Sequence, residues 1–227
     1  FKKLNRNSLS KLKLNIVIIG AGNVAWHLGK EFQKKEQNIL QVFNRSVESA
    51  ISLSHRLKCD FTTRIEDLNE TADLYILTIS DSAIEEVAAL LKLKNKLIVH
   101  TSGAIEQNVI KHKRRGVFYP LQTFSKEKKL NFNNIPFCIE ASTSEDYGIL
   151  MRLATLLSPL VYNINSKQRK VLHVAAVFAC NFTNYMYMIS DEILSDKNIP
   201  LDILYPLIKE TATKISEHKP KDVQTGP

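Results

Sequence analysis

The stretch Leu14-Asn15-Ile16-Val17-Ile18-Ile19-Gly20-Ala21-Gly22-Asn23-Val24-Ala25 constrains this chain more than any other. Its first part is an apolar, β-branched run, which suits a strand buried on both faces of a parallel sheet. It ends in Gly-x-Gly-x-x-Ala and passes into Trp26-His27-Leu28-Gly29-Lys30-Glu31-Phe32, which reads as a helix. In that strand–turn–helix context each small residue has a task. Gly20 permits the tight turn, Gly22 lets the backbone approach a pyrophosphate, and Ala25 allows the helix to pack on the strand. The unpaired N–H groups of the helix N-terminus, at Ala21, Gly22, Asn23 and Val24, then face an anion. A dinucleotide site is the expectation.

Which dinucleotide is decided at the end of the second strand, Asn38-Ile39-Leu40-Gln41-Val42-Phe43. There an acid binds the ribose 2′-hydroxyl of NAD, whereas an Arg accommodates the 2′-phosphate of NADP. The chain has no acidic residue between Glu36 and Glu48, and it places Asn44-Arg45-Ser46 at this point. The Arg45 fork can pair with the phosphate, with Asn44 and Ser46 adding hydrogen bonds, so NADP is expected. The competing reading makes Arg45 a surface residue and Ser46 the cap of the following helix.

Apolar runs alternating with helical patterns continue along the chain. Helices are expected at 47–57, 83–91 and 145–157. Strands are expected at 60–63, 73–79, 96–99, 116–119, 135–141 and 160–164. This alternation indicates parallel crossovers and a doubly wound α/β sheet of the Rossmann type, with ligands outside the strand ends. Ser80, Asp81 and Ser82 follow one strand and His100, Thr101 and Ser102 the next, so both loops fall where a cofactor crosses the sheet. Ser82 with Glu85 also has capping-box spacing. From Ser166 the pattern turns to long helices, which divides the chain into a Rossmann domain at 1–165 and a helical domain at 166–227. In the helical stretch 167–194, Lys170, His173, Asn181 and Asn184 share a narrow polar seam on an otherwise apolar helix, which is expected to be buried around most of its girth. Pro200 is expected to start a helix and Pro206 to break or kink the one that follows.

Composition excludes other classes. A formal net charge of +8 favours anionic ligands in general. The basic bursts at 92–96 and 111–115 carry no interleaved aromatic residues, however, so a base-stacking surface and a nucleic-acid partner are not expected. Cys59, Cys138 and Cys180 fit neither a zinc pattern nor a disulfide framework, and suit a reducing cytoplasm. Phe1-Lys2-Lys3-Leu4-Asn5-Arg6 is basic, but the apolar run behind it is too short for a signal-peptide core or a membrane span.

The segments around Gly20 and Gly22, His100-Thr101-Ser102-Gly103, Gly116-Val117-Phe118-Tyr119-Pro120-Leu121-Gln122-Thr123-Phe124, His173-Val174-Ala175-Ala176-Val177-Phe178-Ala179-Cys180-Asn181-Phe182 and Gln224-Thr225-Gly226-Pro227 occur in one order. In this the chain resembles the Rossmann-like NADP-dependent oxidoreductases with a DUF2520 C-terminal domain, relatives of pyrroline-5-carboxylate reductase and 6-phosphogluconate-dehydrogenase-like enzymes. The resemblance implies substrate in a cleft between the two domains and a homodimer formed through the helical one. It also implies that part of the pocket and dimer contact lies beyond Pro227, since the family pattern continues into Ala-x-Arg. His173 and Asn181 belong to the matching motif, which favours lining the cleft. The expected reaction is hydride transfer to or from a small polar C=O or C=N substrate. His173 is the general acid/base, Asn181 and Asn184 orient substrate, and Ser102 and Gln122 donate hydrogen bonds. The alternative is an NADP-binding sensor without turnover.

Overall fold

The computed structural model describes residues 12–223, so the basic N-terminal segment and the Gln224-Thr225-Gly226-Pro227 motif lie outside the described residues. The expected strands are all present: β1 (Asn15–Ile19), β2 (Asn38–Phe43), β3 (Asp60–Thr62), β4 (Leu74–Leu77), β5 (Leu97–His100), β6 (Arg115–Pro120), β7 (Phe137–Ala141) and β8 (Val161–Asn163). They form one eight-stranded sheet in the order β3-β2-β1-β4-β5-β6-β7-β8. The chain reverses direction across the sheet between β1 and β4, where a doubly wound fold opens its ligand crevice.

Strand alternation fills both faces. Ile16, Ile18, Leu74, Ile76, Leu97 and Val99 belong to one buried cluster, under α1 (Asn23–Lys34), α2 (Val47–Leu57) and α4 (Ser144–Leu157). Val17, Ile19, Tyr75, Leu77 and Ile98 belong to a second cluster, with Ile84 and Ala88 of α3 (Ile84–Leu90). Burying each large side chain contributes about 1.5–3 kcal/mol, which fixes the registers.

The sheet is mainly parallel, as expected, and β6 and β7 are the pair that runs antiparallel. The connection between them holds only the short turn Phe132–Asn134 and no crossover helix, so the chain returns alongside the strand it left. The seam's helix is continuous through α5 (Ser166–Ala176), a π-helical segment Val177–Phe182, and α6 (Thr183–Ser195). It is not buried around its girth: Val174, Phe178, Phe182 and Tyr185 are exposed. Pro206 does not break a helix. It lies in the first turn of α7 (Tyr205–Glu217), where its missing N–H has no intrahelical partner to lose. Residues up to His173 form one compact unit, and those from Val174 a second. The first two turns of α5 therefore belong with the sheet.

Candidate cofactor and active site

The turn after β1 is built by Gly20, whose φ of +111° is closed to ordinary side chains. A Cβ there would also stand 2.6 Å from the Thr78 carbonyl oxygen, so the turn packs tightly on the end of β4. Gly22 differs, because a Cβ on it would meet no protein atom within 4 Å. Nothing in the fold requires glycine there, so the open space is available to a ligand. Gly22 is the N-cap of α1, with no side-chain cap and no acidic residue in the first turn. The helix thus offers N–H groups and its positive dipole end to an anion.

Gly20, Ala21, Gly22, Asn44, Arg45 and Ser80 line one cavity of about 300 Å³. Arg45 is exposed and its guanidinium pairs with no carboxylate among the described residues. Its walls include Ile65, Ile79, Val87 and Leu90, an apolar surface suited to a planar base, and Glu86 is the acid on its rim. These wall residues went unread in the sequence because they reach the cavity only through the turn after β3, the end of β4 and the packing of α3. The donor set fits a dinucleotide with an extra phosphate: uncapped N–H groups for the pyrophosphate and a free guanidinium beyond the second strand.

Other expected cofactor residues have different surroundings. Asn23 Nδ2 donates to the Phe124 carbonyl (2.9 Å), and Val24 packs against the core. Ser46 caps α2, accepting from Ser49 N–H (3.3 Å) and donating to Glu48 (2.8 Å). Asp81 and Ser82 are exposed in the short turn Asp81–Ala83, and neither caps α3, so the capping-box reading is corrected. An extra tight turn before α3 shifts its start past both residues. Thr101 is tied to the end of β4 through its N–H and hydroxyl on the Leu77 carbonyl (3.1 and 3.2 Å).

A second group of polar residues gathers where β5, β6 and β7 meet α5. His100 lies opposite Val117, Val117 opposite Glu140 and Tyr119 opposite Cys138. The two-residue alternation therefore sets His100, Tyr119, Cys138 and Glu140 on one face. His100 is buried, and Ser102 N–H donates to its Nδ1 (3.2 Å), which puts the ring proton on Nε2. That Nε2 has no hydrogen-bond partner among the described residues. Burial, with the Arg169 guanidinium adding to it and the Glu106 carbonyl only partly offsetting it, pushes the His100 pKa down to about 4. Ser102 Oγ accepts from the N–H groups of Ala104 and Ile105 (both 3.1 Å) and shapes the turn.

Gly103 allows His173 to approach. A Cβ there would lie 2.6 Å from His173 Nδ1 and 2.8 Å from the Tyr119 hydroxyl. The two rings stand edge-on with centroids 6.5 Å apart. His173 Nδ1 is buried and has no hydrogen-bond partner among the described residues. Burial raises the Tyr119 pKa above its ordinary value, so its phenol stays a proton donor through neutral pH. One turn before His173, the fully buried Arg169 donates to Glu140 (2.6 Å), Ser166 Oγ (3.2 Å) and the Ile105 carbonyl. Ser166 and Gln107 also donate to Glu140 (2.7 and 3.1 Å). The i, i+4 spacing from Arg169 to His173 was the signal in the sequence that sequence reasoning missed. Gln122 turns its side-chain oxygen onto the Thr123 N–H (2.9 Å). Asn181 and Asn184 are exposed in the second unit.

Among the described residues no helix is long and apolar enough to cross a membrane, and no cluster could hold a metal ion. Residues 15–103 match the family model described as NADP oxidoreductase, coenzyme F420-dependent, and residues 135–227 match the domain of unknown function DUF2520. A Bacteroides fragilis protein, provisionally described as an NADP oxidoreductase, is 46% identical with a TM-score of 0.88, over 96% of this chain and 86% of that one. A 1-pyrroline-5-carboxylate reductase of Streptococcus pyogenes is 17% identical with a TM-score of 0.70, over 95% and 87%. An imine reductase of Myxococcus stipitatus in complex with NADP+ is 13% identical with a TM-score of 0.65, over 90% and 78%. These last two likenesses show the fold. Among curated protein sequences none matches. With its uncapped glycine turn, both family models matched and its close likeness to the Bacteroides protein, the chain belongs to the family of NADP-dependent oxidoreductases in which a Rossmann domain is followed by DUF2520.

Proposed function

We propose that this chain reduces or oxidises a small polar substrate at a C=N or C=O bond, using NADP(H) held at the end of β1. The observation that carries this reading is that Gly22's uncapped helix end and the unpaired Arg45 open on the same cavity. The nicotinamide supplies hydride chemistry when bound, and the chain supplies binding, orientation and a proton path. The N–H groups at Gly22 and Asn23 hold the pyrophosphate, and Arg45 with Asn44 holds the 2′-phosphate. His173 transfers the proton, its buried Nδ1 having no hydrogen-bond partner among the described residues. Tyr119 stands beside it as a second donor. Ser102 and Gln122 orient the substrate from the loops that follow β5 and β6. The pyrroline-5-carboxylate and imine reductases among the structural neighbours favour C=N over C=O. A homodimer through the helical part belongs to the same reading, supported by its exposed apolar side chains. So does a cytoplasmic location, which the free thiols of Cys59, Cys138 and Cys180 suit.

Binding and turnover test the two halves separately. Calorimetry with NADPH and NADH should show a preference for NADPH that Arg45→Ala reduces by roughly tenfold or more, the scale of a charge-assisted phosphate contact. Tight NADH binding by the unaltered protein, or an unchanged preference in the variant, overturns the cofactor assignment. Across a panel of cyclic imines and keto acids, His173→Gln should lower turnover by about 10²–10⁴-fold with NADPH affinity retained. Unchanged turnover removes His173 from the reaction.

A further inference from the structure

The connection at 121–136 between β6 and β7 is long and holds a single short turn, so it needs outside support. It receives it from α1, roughly a hundred residues earlier in sequence. Asn23 donates to the Phe124 carbonyl (2.9 Å), and His27 Nε2 bonds the Ser125 carbonyl (2.8 Å). Phe124 lies against the His27 ring (centroids 5.7 Å apart), and Lys126 Nζ stands 5.1 Å from the centre of the Trp26 ring. Three successive loop residues are thus each held by the first turn and a half of one helix. Asn23 and His27 share a face by their i, i+4 spacing. Asn23 directly follows Gly22, so the residue that ties the loop adjoins the turn left open for a ligand.

We propose that Asn23 and His27 are positioning residues: they strap the 121–129 loop, with Gln122 and Thr123, to the anion-binding end of α1, so that cofactor binding there orders the loop. The strap itself stands on geometry, while the coupling rests on the cofactor reading above. Asn23 thus presents its backbone N–H at the anion-binding helix end and donates its side-chain amide to the loop.

Hydrogen exchange followed by mass spectrometry, on the full chain with and without NADPH, tests both parts. Without NADPH, Asn23→Ala and His27→Ala should speed exchange across 121–129 by about fivefold or more, the equivalent of one lost hydrogen bond. His27→Gln, whose amide nitrogen reproduces the reach of Nε2, should behave like the unaltered protein. With NADPH, exchange across 121–129 should slow in the unaltered protein and in His27→Gln but not in the two alanine variants, while 20–22 is protected in all four. Asn23 is exposed and His27 half-buried, so all three variants should fold.

Unchanged loop exchange in both alanine variants overturns the strap. Weakening of NADPH binding by more than tenfold in Asn23→Ala, with the loop unaffected, makes the Asn23 side chain, beyond its backbone N–H, a cofactor ligand and overturns it too. NADPH that binds without slowing the loop overturns the coupling. Absence of NADPH binding to the unaltered protein overturns the coupling together with the cofactor reading, and the NADPH-free measurements distinguish that from failure of the strap.

Discussion

The two compact units meet the same physical demand differently. Up to His173 the chain closes two apolar clusters on opposite faces of its sheet, and Ile16, Ile18, Leu28 and Phe118 are wholly buried. From Val174 to Val223 no residue is buried, and Phe178, Ile193, Ile203 and Leu207 are each more than 60% exposed. A sheet needs neighbouring strands to satisfy its backbone, and those neighbours bring both faces into contact with helices. A helix satisfies its own backbone and can carry an apolar surface that its own unit does not cover. The helical pattern in the sequence therefore states an apolar surface that the described residues of this unit leave uncovered.

The largest expected effect lies at the last element of the self-sufficient unit. Arg169 is buried without exposure, and its charge is met by Glu140, Ser166 and the Ile105 carbonyl. Arg169→Ala would leave the Glu140 carboxylate without its charge partner, a change that typically costs about 3–5 kcal/mol. Urea denaturation should register this as a lower midpoint. Replacing both members, Arg169→Met with Glu140→Gln, should cost less than the single change. A single-variant cost below about 1 kcal/mol would show that α5 is held by other contacts and would blur the line between the units.

Much of this contrast was legible beforehand. The strands followed from β-branched runs punctuated by turn residues, and α2 falls where its pattern and Ser46 put it. The glycine turn and Arg45 line one cavity, and that end of it was legible because both follow directly from strand ends. The second polar group was half legible. His100, Ser102 and His173 stood out as residue types, but Tyr119 and Glu140 join them only through strand register. The antiparallel return of β7 sets that register, and it depends on a connection lacking a helix. Arg169 reaches the Ile105 carbonyl across 64 positions, which no local pattern encodes. Ser82 misled because its spacing to Glu85 suits a cap, whereas an extra tight turn moves the start of α3 past it.

Acid should expose the same asymmetry. His100 has its pKa pushed down from the ordinary 6.5 to about 4, chiefly by burial and then by Arg169. Between these values the unfolded chain binds a proton that the folded chain refuses. Stability from this residue is thus fully present above about pH 6.5 and is lost as pH falls toward 4, by up to about 3 kcal/mol. Urea midpoints at pH 7, 5.5 and 4.5 should fall, and the fall should be shallower in His100→Leu. Parallel slopes in the two proteins would mean that water reaches the His100 ring.

The smallest effect gives the finest comparison. Leu153 of α4 is wholly buried, and Leu153→Ala should cost about 2–5 kcal/mol at any protein concentration. Ile203 is 65% exposed, and Ile203→Ala should cost less than about 0.5 kcal/mol in dilute protein. If a second copy covers the helical unit, that small cost should grow as protein concentration rises, because association stabilises only what it buries. Denaturation at several concentrations, alongside sedimentation, separates the cases. A cost as large as that of Leu153, independent of concentration, would place Ile203 in a core of its own chain and break the comparison. A cost that stays near zero at every concentration would leave this part of the helical surface facing water and would remove Ile203 from any dimer contact.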